Sequence, residues 1–425
     1  MPDGPSIPAS ARSPASVRLA VLVAALGYFV DIYDLILFSV VRVTSLQALG
    51  VTGGAVMKEG LFILQMQMWG MLIGGILWGI LGDKRGRLSV LFGSILLYSL
   101  ANLANGIPDH LAEMTGGALD SLQVYAIVRF VAGVGLAGEL GAGITLVSES
   151  MGKESRGMGT TVVATVGICG AIVAVLVGKN ADWRTAYFIG GGLGLALLAL
   201  RVGVMESGMF ATLKKTTVSR GNILLLFSSW ERARRYLSVI LVGVPIWYVV
   251  GILITFAPEL GAALDMDPGP SAPDAVFWVY LGLIAGDFGS GALSQVLRSR
   301  KKVLGGFLAL TALFVGAYFA VGARSLPLFY AICGGLGVAT GYWAVFVTVA
   351  SEQFGTNIRA TVTTTAPNFV RGSMVPVTIL FELLRGPLGA TTSALAVGGL
   401  TLLVAAVALY GLDETYGKDL DFTES

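Results

Sequence analysis

Residues Ser148-Glu149-Ser150-Met151-Gly152-Lys153-Glu154-Ser155-Arg156-Gly157 return later in the chain as Ser351-Glu352-Gln353-Phe354-Gly355-Thr356-Asn357-Ile358-Arg359-Ala360. Both copies open on Ser-Glu, keep a glycine at the fifth position and an arginine at the ninth, and both directly follow an apolar run of even number in its half. A weaker echo relates Gly82-Asp83-Lys84-Arg85-Gly86-Arg87 to Leu297-Arg298-Ser299-Arg300-Lys301-Lys302, each after the second run of its half. Loops repeating in position, sequence and spacing mark a duplicated unit. In membranes, such a duplication builds two helical bundles around a site at their interface.

Composition supports the membrane reading. The chain is 55% apolar and only 13% charged, where soluble domains carry roughly 25% charged residues. The 58 glycines suit helices that approach closely in lipid. Twelve runs near the roughly 20 residues that cross hydrocarbon as a helix are predicted: Val17–Val41, Leu61–Leu81, Leu88–Gly106, Leu122–Ser148, Gly157–Gly178, Thr185–Val204, Tyr236–Ala257, Ala275–Leu297, Val303–Gly322, Pro327–Ala350, Thr361–Leu384 and Thr391–Leu412. They are too long for membrane strands and do not alternate. The expected fold class is an all-α polytopic membrane protein: twelve transmembrane helices in two pseudo-symmetric six-helix bundles. The expected organisation is a disordered N-terminus (1–16), a first bundle (17–204), a central loop with amphipathic helices (205–235), a second bundle (236–412) and a tail (413–425). No secretory cleavage pattern precedes Val17.

Lys and Arg set the expected orientation. With the N-terminus cytoplasmic, nineteen of them, among them Lys84, Arg85, Arg87, Lys153, Arg156, Arg232, Arg234, Arg235, Arg298, Arg300, Lys301, Lys302 and Arg359, fall inside. Arg42, Lys58, Lys179, Arg184, Arg324 and Arg385 fall outside, among the acidic Asp109, Glu113, Asp120, Glu259, Asp265, Asp267 and Asp274. That asymmetry follows the positive-inside rule and puts both termini in the cytoplasm of a bacterial inner (plasma) membrane. The formal charge of +2 gives no reason to expect nucleic acid. Cys169 and Cys333 lie far apart in apolar runs, and His110 is the single histidine, so neither a disulfide framework nor a metal or other cofactor is expected.

Gly79-Ile80-Leu81-Gly82-Asp83-Lys84-Arg85-Gly86-Arg87 resembles the loop signature of the major facilitator superfamily. Asp31-Ile32-Tyr33-Asp34, Arg129-Phe130-Val131-Ala132-Gly133 with Ala137-Gly138-Glu139, Trp183-Arg184, and Arg201 with Glu206-Ser207 are similar to motifs of its metabolite:proton symporters. Asp413-Glu414-Thr415-Tyr416-Gly417-Lys418 looks like the terminal motif of sugar porters. The resemblance covers nearly the whole chain. It departs at Ser150-Met151-Gly152, where a proline is usual, at Gln295 in the second copy of the loop, and at Asp413. The fifth span reads Gly167-Ile168-Cys169-Gly170-Ala171 and lacks the Gly-Pro of proton-driven drug antiporters. The resemblance implies a monomeric carrier working by alternating access, with Gly82, Asp83, Arg87, Glu149, Arg156, Glu352 and Arg359 as gating residues. Independently, Asp83 is placed to cap a helix end and to meet Arg87.

The informative residues are the charges inside the spans. An ionisable group at mid-membrane costs roughly 2.5–3.5 kcal/mol even on the lenient insertion scale, so it needs a partner or a wet cavity. Asp31 and Asp34 are three apart and share a helix face. Asp34 and Arg129 lie at matching depth from opposite ends of spans one and four, so a pair between them is expected, either a proton station or a fixed structural tie. Burial and a neighbouring acid both favour the protonated carboxyl. Glu139, amid glycines, is a second proton station or a structural Glu. Asp287 and Arg371 are expected to pair, or Arg371 is left to bind an anion through its two-pronged fork. Proton coupling is thus expected of Asp31, Asp34, Glu139 and Asp287. Substrate contact is expected of Arg129, Arg371, Tyr28, Tyr33, Trp247, Tyr248, Tyr342, Trp343 and Asn368, several of which serve equally well as packing residues. The expected function is proton-coupled uptake of a small organic acid or similar polar metabolite. A facilitator, an exporter or exchanger in the same fold, and a non-transporting sensor are the alternatives. No nucleophile–base pair or phosphate loop suggests an enzyme.

Overall fold

The computed structural model describes residues 14–85, 87–139, 156–206, 226–417 and 424. Regular structure among them is helical throughout. The first half contains α1 (Pro14–Ala48), α2 (Ala55–Arg85), α3 (Arg87–Asn105), the short α4 (Pro108–Met114) turned 90° away from α3, α5 (Ser121–Leu136), α6 (Arg156–Asn180) and α7 (Trp183–Glu206). The second half contains α8 (Trp230–Tyr248), a π-turn (Val249–Ile254), α9 (Ala257–Ala263), α10 (Ala272–Val296), α11 (Arg300–Ala320), α12 (Leu326–Thr340), α13 (Trp343–Glu352), α14 (Thr356–Gly372), α15 (Met374–Leu388) and α16 (Ala390–Tyr410). Spans seven, ten and eleven are therefore each built in pieces. Nine described stretches are long and apolar enough to cross a membrane. Span four leaves the described residues after Glu139, and span eleven carries a polar Thr-rich stretch and Arg371.

The two halves pack alike. In the first, α1 packs on α6, α2 on α5, and α3 on both α5 and α7; in the second, α8 packs on α14, α10 on α12, and α11 on both α12 and α16. Across the interface α6 meets α10 and α2 meets α14, which is one contact seen twice under the same twofold relation. This is the twelve-helix, two-bundle membrane fold expected from the repeats.

Glycines make the tightest contacts, and they too are duplicated. A Cβ at Gly70 or Gly74 of α2 would run into the backbone of Phe130 or Val134 on α5, and one at Gly133 into Gln67. In the second half, Gly282 and Gly286 of α10 face the backbones of Gly334 and Val338 in the same way, and Gly337 faces Val279. Close backbone approach by small residues stands in for the hydrophobic drive that lipid cannot supply.

Several boundaries differ from expectation. Pro14–Ser16 already belong to α1, while 1–13 lie outside the described residues. The central loop is described only from Leu226, and Glu231–Arg235 form the first turns of α8 instead of a separate surface helix, with Ser229 as N-cap. Arg42, expected in an outer loop, lies inside α1 and is fully buried.

The chain after α16 folds back onto one face of the second half, here called the terminal face. Glu414 accepts hydrogen bonds from Ser299 Oγ and from the amides of Arg300, Lys301, Thr415 and Tyr416. Partial burial pushes its carboxyl up, but the bonds from Ser299 and these amides outweigh it and hold the group down at about 2. Gln353 donates to the Asp413 carbonyl (2.8 Å), and Glu352 accepts from Thr415 Oγ1 (2.7 Å). At the opposite face, the fork of Arg42 holds both carboxylate oxygens of Glu259 (2.6 and 2.8 Å) and also donates to the Thr255 carbonyl, joining the halves. Lys179–Asp274 (2.6 Å) and Thr255–Ser39 (2.9 Å) add to this bridge.

Two outcomes follow. Gly282→Ala will destabilise the purified protein by about 1–3 kcal/mol through overpacking, whereas Gly289→Ala, which meets nothing within 4 Å, will not; thermal unfolding in detergent reads the difference. Because the carboxyl of Glu414 titrates lower folded than unfolded, its contribution is present above the ordinary value of 4.5 and fades as pH falls toward about 2. Glu414→Gln will therefore lower the melting temperature at neutral pH, with the gap to wild type closing in acid.

Candidate functional site

Arg371 sits where α14 gives way to α15, halfway along span eleven. Its guanidinium is buried and bonds Asp31 of α1 at 3.2 Å, an ion pair joining the two halves at mid-depth. Only one nitrogen is used: Nε and Nη1 of Arg371 and Oδ1 of Asp31 have no hydrogen-bond partner among the described residues. The ring of Trp343, at the start of α13, lies 5.9 Å from the guanidinium carbon. Tyr28, one turn before Asp31, is within electrostatic reach of Arg371, Asp31 and Asp287. Trp247 on α8 is buried with its indole N–H unpartnered among the described residues. Spans one, eight, ten and eleven thus bring a half-engaged cation, carboxylates and aromatic faces to one interface.

The expected Asp287–Arg371 pair does not form. Asp287 instead accepts from the backbone N–H of Ala344 at 2.8 Å. Span ten breaks at Gly341-Tyr342, and the free amides opening α13 need an acceptor; Asp287 supplies one from the neighbouring helix. Gly341 lies so close to the backbone of Gly286 and Asp287 that a Cβ would collide.

The expected Asp34–Arg129 ion pair is also absent. The two are neighbours inside the first half, but Arg129 donates to the backbone carbonyl of Asp34 and to Asn102 Oδ1, both at 3.4 Å. The rings of Tyr187 and Phe38 lie 5.6 and 5.8 Å from its guanidinium carbon. Both carboxylate oxygens of Asp34 are buried without a hydrogen-bond partner among the described residues. Matching depth was right; the azimuth was not legible.

Glu139 binds Arg201 of α7 through two parallel bonds of 2.9 and 3.0 Å. Both side chains are buried. Arg201 was visible in the sequence only as a motif residue at the end of span six.

The remaining aromatic and amide residues divide. Tyr33, Tyr248 and Tyr342 are fully buried and donate to the carbonyls of Ala186, Ala394 and Val242, which ties helices within one half. Asn368 crosses the halves, donating to the carbonyl of Ala137, the C-cap of α5, at 2.9 Å. Of the expected gating residues, Glu352 meets Arg300 at 3.4 Å and Arg359 donates to the carbonyls of Ser351 and Phe354, all on the terminal face. Gly82, Asp83, Arg87 and Arg156 lie on described helices without described side chains, and Glu149 lies outside the described residues. Sequence reasoning missed Arg42 and Glu259 as partners; their one signal was a basic and an acidic residue at the same expected face.

The family model for the Major Facilitator Superfamily matches residues 24–378. The 3-(3-hydroxy-phenyl)propionate transporter of Escherichia coli is 31% identical over 319 residues, covering 67% of this chain and 75% of that one. A putative niacin/nicotinamide transporter of Bacillus subtilis is 27% identical and covers 85% and 86%. A probable 4-methylmuconolactone transporter of Cupriavidus pinatubonensis is 26% identical and covers 92% and 89%. The inward-open xylose transporter XylE from E. coli superposes with a TM-score of 0.68 at 17% identity over 95% of this chain and 98% of that one, a likeness of fold.

Breaking one side of a buried pair leaves an uncompensated charge and costs about 3–5 kcal/mol, while an apolar replacement of both is close to neutral. Arg201→Leu will accordingly destabilise strongly, and Arg201→Leu with Glu139→Leu will recover most of the loss in thermal unfolding.

Proposed function

This chain belongs to the Major Facilitator Superfamily, and we propose that within it the protein is a proton-coupled symporter taking up a small organic acid. The observation that carries this is the ion pair between Arg371 of the second half and Asp31 of the first, with a free guanidinium edge beside Trp343. A guanidinium binds a carboxylate through two parallel bonds, so a substrate carboxylate competes with Asp31 for the same fork. A proton on Asp31 removes that competitor and keeps the site near electroneutrality. Release of the proton restores the pair and expels the acid. Because the partners sit on opposite halves, the exchange is coupled to whether the halves are together at this depth. Asp34, buried beside Arg129 and without a hydrogen-bond partner among the described residues, is a second protonatable group a helical turn away.

Two relatives support an acid as cargo, one named for a hydroxyphenylpropionate and one for niacin or its amide, and an indole face beside an arginine suits a ring with a carboxylate. In this reading residues 17–204 and 236–412 are the two rocking bundles, joined through the 205–235 loop. The terminal face is cytoplasmic, the tail 413–425 included, by the Lys and Arg asymmetry. The carrier works as a monomer in the bacterial inner membrane. Its ligands in this reading are protons and one small solute.

Proteoliposomes with an imposed pH gradient test this. Wild type will accumulate a labelled aromatic carboxylate, and a protonophore will abolish accumulation. Arg371→Gln will lose thermal stabilisation by carboxylates. Asp31→Asn and Asp34→Asn will lose accumulation while solute exchange at equal pH persists. Uptake indifferent to the gradient leaves a facilitator; accumulation in the reverse sense makes it an exporter; stabilisation by sugars or amines but by no acid removes the organic-acid reading.

A further inference from the structure

Helices α11 and α16 are both apolar spans, and between them, toward the terminal face, lies a groove of about 590 Å³. Small residues make the room. Gly305, Ala309 and Ala312 follow one another at helical spacing along α11, and Ala406 stands on the α16 wall. A Cβ at Gly305 would meet only Leu409, at 3.6 Å. That is an ordinary contact, so this glycine leaves space, unlike Gly282 or Gly286, which bring backbones together. The surface around the groove exposes Leu313, Leu403 and Val407, side chains that suit hydrocarbon and not water.

Length and charge narrow what fills it. The lining runs along α11 from Lys301 to Ala312, a rise of about 16 Å at roughly 1.5 Å per residue. The hydrocarbon core is about 30 Å thick, so the groove is one leaflet deep and stops near mid-membrane. At the membrane edge it ends on Lys301 and Lys302, in the first turn of α11, and on Tyr410, the last residue of α16. Lys302 is exposed, and among the described residues no carboxylate lines the groove. Lys301 donates from Nζ to the carbonyls of Tyr410 and Leu412. Those acceptors carry no net charge, and an ammonium has three donors, so a positive charge and one N–H remain. Glu414 is turned to Ser299 and to the backbone amides of Arg300 and Lys301. The duplicated architecture does not call for these lysines. Counted from the first helical residue, α3 has Leu88 and Ser89 where α11 has Lys301 and Lys302.

We propose that this groove binds one anionic phospholipid of the leaflet on the terminal side, with its phosphate at the ammonium groups of Lys301 and Lys302 and one acyl chain laid along Gly305, Ala309 and Ala312. A trough one leaflet deep and floored by small residues takes an extended chain, whose dispersion contacts complete the packing of α11 on α16. Lysines at the membrane edge select an acidic headgroup over a neutral one. Tyr410 sits at headgroup level, where amphipathic rings are favoured. The site shares no residue with the Arg371–Asp31 pair, and the inference draws neither on proton coupling nor on the identity of the solute.

Native mass spectrometry of the full chain in detergent, titrated with phosphatidylglycerol or with phosphatidylcholine of the same acyl chains, tests this. Wild type will take up its first phosphatidylglycerol at a lower concentration than its first phosphatidylcholine. Lys302→Gln will weaken phosphatidylglycerol binding about fivefold, the scale of one lysine at a lipid surface, and leave phosphatidylcholine unchanged. Ala309→Leu, which places a side chain in the trough, will weaken both. Arg234→Gln removes an exposed charge of the terminal face outside the groove and will change neither. Melting temperatures of the same samples establish that each variant is folded. Equal uptake of the two lipids by wild type overturns the acidic headgroup. Equal weakening by Arg234→Gln and Lys302→Gln overturns the site in favour of diffuse surface charge. Undiminished binding to folded Ala309→Leu overturns the seated chain. Displacement of the lipid by equimolar soluble glycerol phosphate overturns a lipid as the occupant.

Discussion

A permanent cation in the middle of a membrane helix constrains everything around it. At this depth an unmatched charge such as that of Arg371 costs roughly 2.5–3.5 kcal/mol on the lenient scale. Asp31 on the other half meets it. The aromatic face of Trp343 supports it. The helix itself is interrupted two residues later, at Ser373 between α14 and α15. Asp287, the acid nearest by sequence reasoning, is spent on the amide of Ala344 at the break in span ten. Among the described residues the arginine is therefore matched only from across the interface, and the match is partial.

Much of this architecture was legible in the sequence, because lipid imposes a coarse rule. Each span must be a long apolar helix whose backbone bonds itself, so the runs announce themselves and the loop repeats show the duplication. Where they start and stop is less plain. Hydropathy ends a run at the first charge, so Arg42 was placed in a loop. Yet Arg42 is covered by Glu259, Thr255 and the ring of Phe256, over 200 residues away. The π-turn at Val249–Ile254 falls in an unbroken apolar run, with nothing local to mark it. Glu231–Arg235 looked like a surface helix because charges dominate the pattern, but Ser229 caps them into α8.

The chemistry was legible as a list of residues and much less as a set of partners. Asp31, Asp34, Arg129, Glu139, Asp287 and Arg371 stand out because each is an ionisable group in a hydrocarbon span, and all six are buried. Counting residues along a helix gives depth; it does not say which way a side chain points once helices are packed. Depth alone matched Asp34 to Arg129 and Asp287 to Arg371. Packing gave Arg129 to a carbonyl and an amide, and gave Arg371 to Asp31. Tyr248 and Tyr342 show the same limit from the apolar side: chemically suited to line a cavity, they are turned inward to satisfy carbonyls.

The Arg42 clamp bears on timing. Its guanidinium has no exposure, holds Glu259 with both prongs and leans on a ring 4.3 Å away. Partial release would leave the buried guanidinium short of a partner, while Glu259 keeps a partly exposed side chain. Any separation of the halves at this face has to break both Arg42–Glu259 bonds and the bond to the Thr255 carbonyl. The dwell of this arrangement, and with it the tempo of any cycle that includes it, is written into one arginine far from where a solute would bind.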